Sequence, residues 1–142
     1  ELFRSISLWV LMDRSTRAMV LPGKSGIMVP GILRGNELPA PGSLPPARCS
    51  VSARRRVCFS DLDVNDHINN CRYLEWAGDL LPAAFHKNHA IKDVTMCYLG
   101  EAREGDELTL FWEMTPDGML RMDIQRCQED RNIRIFTAEI QY

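Results

Sequence analysis

The chain has 142 residues, 45% of them hydrophobic and 25% charged, which is the composition of a globular domain rather than of a disordered segment. Its 17 basic and 19 acidic residues give a formal net charge of -2, so there is no overall basic field to hold a polyanion, and no nucleic acid partner is expected. No apolar run reaches the roughly 18 residues that a membrane-spanning helix needs.

The first patterned segment is Ile6 to Met12, where Ile6, Leu8, Val10 and Met12 alternate with Ser5, Ser7, Trp9 and Leu11 as in a strand. The pattern starts at the first residues, with no signal-peptide layout, so an earlier part is expected to be missing. From Pro22 to Pro46 proline and glycine recur too often for regular structure. The expected division is an end strand over 1–22, a linker over 23–48 and a domain over 49–142.

That domain opens with a short strand, Ser52 to Phe59, which carries Arg54, Arg55 and Arg56 and runs into the polar cluster Ser60 to Asn70. Tyr73, Trp76, Ala77, Leu80 and Leu81 then fall at i, i+3, i+4, i+7 and i+8, the stripe of an amphipathic helix, with Asn69 or Asn70 as its cap and Pro82 and His86 to His89 at its end. Four alternating strands follow: Val94–Tyr98, Leu108–Met114, Leu120–Ile124 and Ile133–Tyr142. Thr115-Pro116-Asp117-Gly118 makes one turn and Gln128 to Asn132 another. One amphipathic helix and one sheet with an apolar face bury both surfaces most economically when the sheet wraps the helix. The expected class is therefore α+β, a hotdog fold in which an antiparallel meander wraps one long central helix.

Asp61, Asp63, Asn65, Asp66, His67, Asn69 and Asn70 crowd the loop between strand and helix, a dense set of bases, donors and orienting groups. On residue types alone, helix capping and turn formation explain such a loop about as well as catalysis does. The run Asp63-Val64-Asn65-Asp66-His67-Ile68-Asn69-Asn70-Cys71-Arg72-Tyr73 resembles the D-x-N-x-H-x-N-N-x-x-Y signature of acyl-carrier-protein (ACP) thioesterases. Tyr98-Leu99-Gly100-Glu101-Ala102 resembles that family's tyrosine, two-residue spacer, glutamate and cysteine. Ser7 to Asp13, with Thr16-Arg17, resembles the end of the first of its two hotdog domains.

The resemblance implies a hydrolase that releases free fatty acid from fatty acyl-ACP during fatty acid biosynthesis. It implies Asp63, Asn65, His67 and Glu101 as catalytic residues. Asn69, Asn70, Tyr73 and Trp76 would then bind substrate. In these roles Glu101 draws a proton from water, Asp63 orients or attacks, Asn65 holds water or the carbonyl oxygen, and His67 positions substrate or donates a hydrogen bond. Backbone N–H groups near Asn69 to Arg72, at the helix start, would face a polarised carbonyl. Ala102 departs from the family's cysteine; either that thiol is dispensable or the activity is altered, and the first is favoured.

Two rivals stand beside this reading. A single-hotdog acyl-coenzyme A thioesterase shares the first aspartate and the helix start, but Asn65 and the Glu101 segment argue against it. A noncatalytic acyl-binding or dimerisation module would have Asp63, Asn65 and Glu101 pointing away from a common cavity. No cofactor or metal is expected: His86 and His89 lack further ligands at metal spacing. Arg54 to Arg56 suit either a solvated strand edge or the acidic carrier protein and its phosphopantetheine phosphate. Met96, Trp112, Met114, Met122 and Ile124 read as core before they read as an acyl tunnel. The odd count of five cysteines, none in a C-x-x-C pair, suits a reducing compartment. Bacterial cytoplasm is expected, with plastid stroma as the alternative. Pairing is expected too, with a second copy or with a first hotdog domain.

Overall fold

A computed structural model describes residues 5–16, 18–26, 39, 42–47, 51–128 and 131–142. Most of the expected linker, together with Arg17, Cys49 and the tip of the turn at Glu129 and Asp130, lies outside the described residues. The chain divides into two units, Glu1–Gly42 and Ser43–Tyr142.

In the first unit, β1 (Leu11–Met12) pairs antiparallel with β2 (Met19–Val20). Asp13 shapes the intervening turn, its Oδ1 accepting from the N–H groups of Ser15 at 2.9 Å and Thr16 at 2.7 Å. The expected strand from Ile6 is thus shortened to its last two residues, because only these have a ladder partner. A four-residue helix, α1 (Pro22–Ser25), follows, ended by Gly26 at φ 70.

The second unit is built from β3 (Val51–Arg56), α2 (Asn70–Asp79), α3 (Ala83–Asn88), β4 (Asp93–Tyr98), β5 (Glu107–Met114), β6 (Met119–Gln128) and β7 (Arg131–Gln141). The five strands form one antiparallel sheet in the order β3-β5-β6-β7-β4. Only β5, β6 and β7 make the expected meander; β4 crosses over to pair with β7, and β3 closes the far edge against β5. A helical crossover between β3 and β4 carries β4 away from its sequence neighbours, which single-strand periodicity does not report.

Strand register brings one apolar row after another onto the face that meets α2. Leu110 lies beside Ile124 and Ile124 beside Phe136; Met114 lies beside Leu120 and Leu120 beside Ile140. Tyr73, Trp76 and Ala77 of α2 are buried against that face, and Tyr73 stacks on Phe136 with ring centroids 4.5 Å apart. Each fully buried side chain of this size contributes about 1.5–3 kcal/mol. Met122 and Ile124 are fully enclosed, and Met96, Trp112 and Met114 pack against the same cluster. This antiparallel sheet on one central helix is the hotdog arrangement.

The helix stops earlier than its apolar stripe suggests. Asp79 is its last residue, and Leu80 and Leu81 reach the core from the turn beyond. Pro82, which disfavours helical geometry in the residue before it, caps α3 instead, so that the polar run expected to mark a helix end lies largely inside a second helix.

The outer face of the sheet is not wholly solvated. Asp123 is 0% exposed there, held by Arg134 Nη2 at 2.9 Å and by the N–H of Ala47 at 3.1 Å. Residues 43–47 therefore group with the sheet. Among the described residues no helix is long and apolar enough to cross a membrane.

Candidate active site

The polar loop after β3 is held at both ends by Asp61. This side chain is 2% exposed, and its carboxylate accepts from the N–H of Cys58 at 2.9 Å and from Arg55 Nη2 at 3.1 Å. Its carbonyl accepts from the N–H of Asn69 at 2.9 Å, which fixes where α2 begins. Arg55 also lies over the Trp76 ring, 4.4 Å from its centroid, so the same cation ties the strand to the helix.

Between these anchors the chain makes a tight reversal. The Asp63 N–H donates to the His67 carbonyl at 2.8 Å, and Leu62 bridges Ile68. The reversal needs a left-handed residue, and Asp66 supplies it at φ 59. Asp63 Oδ1 accepts from the backbone N–H of Asn65 at 2.8 Å and, less closely, from that of His67 at 3.4 Å. The Asn65 N–H holds the Asp63 carboxyl below the usual carboxylate range. Partial desolvation opposes this, while the His67 N–H, the Asn65 side chain and the nearby His67 charge reinforce it. Asp63 is thus an ionised, well-satisfied acceptor, which makes it a better orienting group than a nucleophile.

The second wall is the turn between β4 and β5. A bulge in β7 skips Ile135, so that Ile124 pairs with Phe136 and Gln125 with Arg134. The Ile135 carbonyl is thereby turned to accept from both Leu99 (2.9 Å) and Gly100 (3.1 Å). A Cβ at Gly100 would sit 3.4 Å from Ile135 Cγ2, an ordinary van der Waals contact, so the turn lies directly against β7. The Glu101 carbonyl accepts from Arg126 Nη1 at 3.0 Å, and the Ala102 carbonyl accepts from the Ile68 N–H at 3.2 Å. These bonds set turn against loop.

Their meeting point is His67. Its Nε2 lies 3.2 Å from Glu101 Oε2, with the side chains 21% and 41% exposed. An imidazole that donates or accepts at Nε2, beside a carboxylate reachable by water, is a pair able to move one proton. Asn65, Asp63, His67 and Glu101 are joined in that order by direct contacts.

The other expected site residues divide. Asn69 caps α2, its Oδ1 accepting from the Cys71 N–H at 3.0 Å, and the Asn70 carbonyl accepts from the Tyr98 hydroxyl at 3.4 Å. Both asparagines are exposed beside the loop. Tyr73 and Trp76, each 2% exposed, sit in the core, where they fix the helix under the site. The expectation of unpaired N–H groups at the helix start is corrected: those of Asn69, Cys71 and Arg72 bond to Asp61, to the Asn69 side chain and to the Asn69 carbonyl. Asn69 satisfies the last two, one with its side chain and one with its carbonyl.

Ala102 is 0% exposed and belongs to the core, so the residue after Glu101 has its side chain turned away from the pair at the surface. His86 Nε2 contacts the Gly78 carbonyl and His89 Nδ1 the Phe85 carbonyl, each at 3.0 Å. No group of three or more His, Cys, Asp or Glu suited to a metal occurs among the described residues. One nearby residue escaped the sequence reading: Arg103, whose Nη2 lies 3.5 Å from His67 Nε2. Only its position two residues after Glu101 marked it.

Residues 46–141 match the model of the acyl-ACP thioesterase C-terminal domain. The chain is 30% identical over 108 residues to the chloroplastic palmitoyl-acyl carrier protein thioesterase of Gossypium hirsutum, covering 70% of this chain and 26% of that one. An acyl-ACP thioesterase from Bacteroides thetaiotaomicron superposes with a TM-score of 0.66 at 25% identity, over 92% of this chain and 52% of that one. The 12:0-ACP thioesterase from Umbellularia californica gives 0.66 at 19% identity over the same shares, a likeness of fold. The chain thus spans about a quarter of the length of the curated cotton relative and about half of these solved chains. With the family's domain matched over more than half of its length, the chain belongs to the acyl-ACP thioesterase family, of which it carries the C-terminal hotdog domain.

Proposed function

We propose that this protein hydrolyses fatty acyl-ACP thioesters to free fatty acid and ACP. The observation that carries the reading is the approach of Glu101 Oε2 to His67 Nε2, 3.2 Å across two different loops. Structural needs of either loop alone do not require it. In the proposed reaction Glu101 takes a proton from water as the hydroxide adds to the thioester carbon. The carbon–sulfur bond then breaks, and the proton passes to the departing thiolate. Asp63 orients His67, and Asn65, at the exposed edge of the loop, holds the carbonyl oxygen or the water. Substrate approaches along the loop and the α2 start, over Asn69 and Asn70, while Tyr73 and Trp76 act by supporting the helix.

The named relatives act on acyl carrier proteins, which supports ACP as the partner. That the chain spans only about half of the solved relatives supports residues 1–22 as the end of a first hotdog domain, 23–48 as a linker and 49–142 as the domain that carries the site. Plastid stroma gains support from the chloroplastic relatives, and bacterial cytoplasm stays beside it. The test is hydrolysis of acyl-ACP and acyl-coenzyme A of several chain lengths by the chain and by Glu101→Ala. Carrier-protein-dependent turnover, reduced on the order of a hundredfold or more in the variant, is the expected result. Equal turnover in both proteins would remove Glu101 from the chemistry. A folded chain inactive on every substrate would mean that a first domain is essential for turnover or that this is an acyl-binding or dimerisation module.

A further inference from the structure

Two groups of opposite hydrogen-bonding character face one nitrogen. Glu101 Oε2 lies 3.2 Å from His67 Nε2 and Arg103 Nη2 lies 3.5 Å from it. An ionised carboxylate only accepts, and a guanidinium only donates. Nε2 therefore bonds to Glu101 when it carries a proton and to Arg103 when it carries a lone pair. It cannot satisfy both at once.

Neither partner is placed by chance. The Arg103 N–H donates to Asp106 Oδ2 at 2.9 Å, and the same oxygen accepts from Arg126 Nη1 at 3.2 Å. The Asp106 carbonyl accepts from Val57 at 3.0 Å, and the Val57 carbonyl accepts from Gly105, whose φ of 85 lets the turn close. Arg103 thus stands on a turn pinned to β3 and β6, with only its side chain reaching over the site. The charged groups around His67 are Asp63 on its own loop and Glu101 and Arg103 on the facing turn, with Arg126 behind that turn.

We propose that Arg103 is a positioning residue: its guanidinium competes with Glu101 for His67 Nε2 and holds the neutral imidazole with its proton on Nδ1. The consequence, which rests on the reaction proposed above, concerns Glu101. If the Nε2 proton were held against Glu101, that hydrogen bond would stabilise the charged carboxylate and make it a weaker base toward water. With the proton on Nδ1, the carboxylate takes its proton from water instead. No net proton or electron is consumed, since the proton drawn from water ends on the departing thiol.

Nitrogen-15 NMR of the imidazole, recorded above pH 8 on the chain, on Arg103→Met and on Glu101→Ala, tests the assignment without substrate. The native chain is expected to show His67 mainly as the Nδ1–H form. Arg103→Met should move the ratio toward Nε2–H by roughly tenfold, about the worth of one charge-assisted hydrogen bond at a partly exposed site. Glu101→Ala should move it the other way. Ratios unchanged by both substitutions, or shifted in the same direction, would overturn the proposal. In turnover, Arg103→Met should lower kcat roughly tenfold with KM little changed. A rise in KM alone would show that Arg103 holds substrate rather than His67. A chain with no turnover on any thioester would sink the proposed reaction and leave the tautomer result standing, so the two failures are distinguishable.

Discussion

At the residue scale the densest concentration of function and stability is in Asp61 and its neighbours, where two aspartates two positions apart do different work. Asp63 spends its carboxylate on the loop at the surface, whereas Asp61 is sealed between β3 and α2 and anchors both. Removing a buried acceptor leaves its donors without a partner, which costs more than the bond itself contributed. Arg55 is 37% exposed and recovers water when its partner goes, so the loss should fall short of that for a fully sealed pair. Asp61→Ala is expected to lower stability by about 1–3 kcal/mol, read as a lower urea midpoint at constant slope. Asp61→Asn keeps one acceptor and should lose less. An Ala variant as stable as the native chain would show that Arg55 and the Cys58 N–H are equally well served by water.

At the scale of elements, α2 is set by its cap and its stripe. Asn69 Oδ1 takes the Cys71 N–H, and Asn69→Ala should cost about 1 kcal/mol, with Asn69→Asp close to native. Thermal unfolding measures this directly, and no loss in the Ala variant would assign the helix start to the Asp61 carbonyl alone. This helix was legible because its signals are local: Tyr73, Trp76 and Ala77 at helical spacing, a capping asparagine, a proline beyond. The alternation in β5, β6 and β7 was legible for the same reason. The place of β4 was not, because its pairing with β7 joins Tyr98 to Phe136, far away in sequence. Nor was the bulge at Ile135, which turns one carbonyl to hold the Glu101 turn and leaves no mark in residue type. Asp63, Asn65, His67 and Glu101 were visible as a family pattern. The partner at His67 that no pattern marked, Arg103, emerges only when the two loops meet.

At the scale of the whole molecule, the two edges of the sheet differ. Arg54 and Arg56 stand on β3, and long cations on an edge strand discourage a further strand from pairing there. On β4, the other edge, the residues between Asp93 and Tyr98 are Val94, Thr95, Met96 and Cys97, and the chain continues into Leu99, half exposed like Tyr98. An edge strand whose one charge is at its first residue and whose other end is apolar is a template for pairing, and closed two-fold association is the common way to cover one. A second copy is the occupant available to this chain in isolation, and it would bring two sites to one assembly. Light scattering at micromolar concentration is therefore expected to give twice the mass of the chain, and Thr95→Lys, which puts a charge on that edge strand between the core-packed Val94 and Met96, to shift the population toward the single chain. A native chain that stays single would leave the β4 edge to a first hotdog domain.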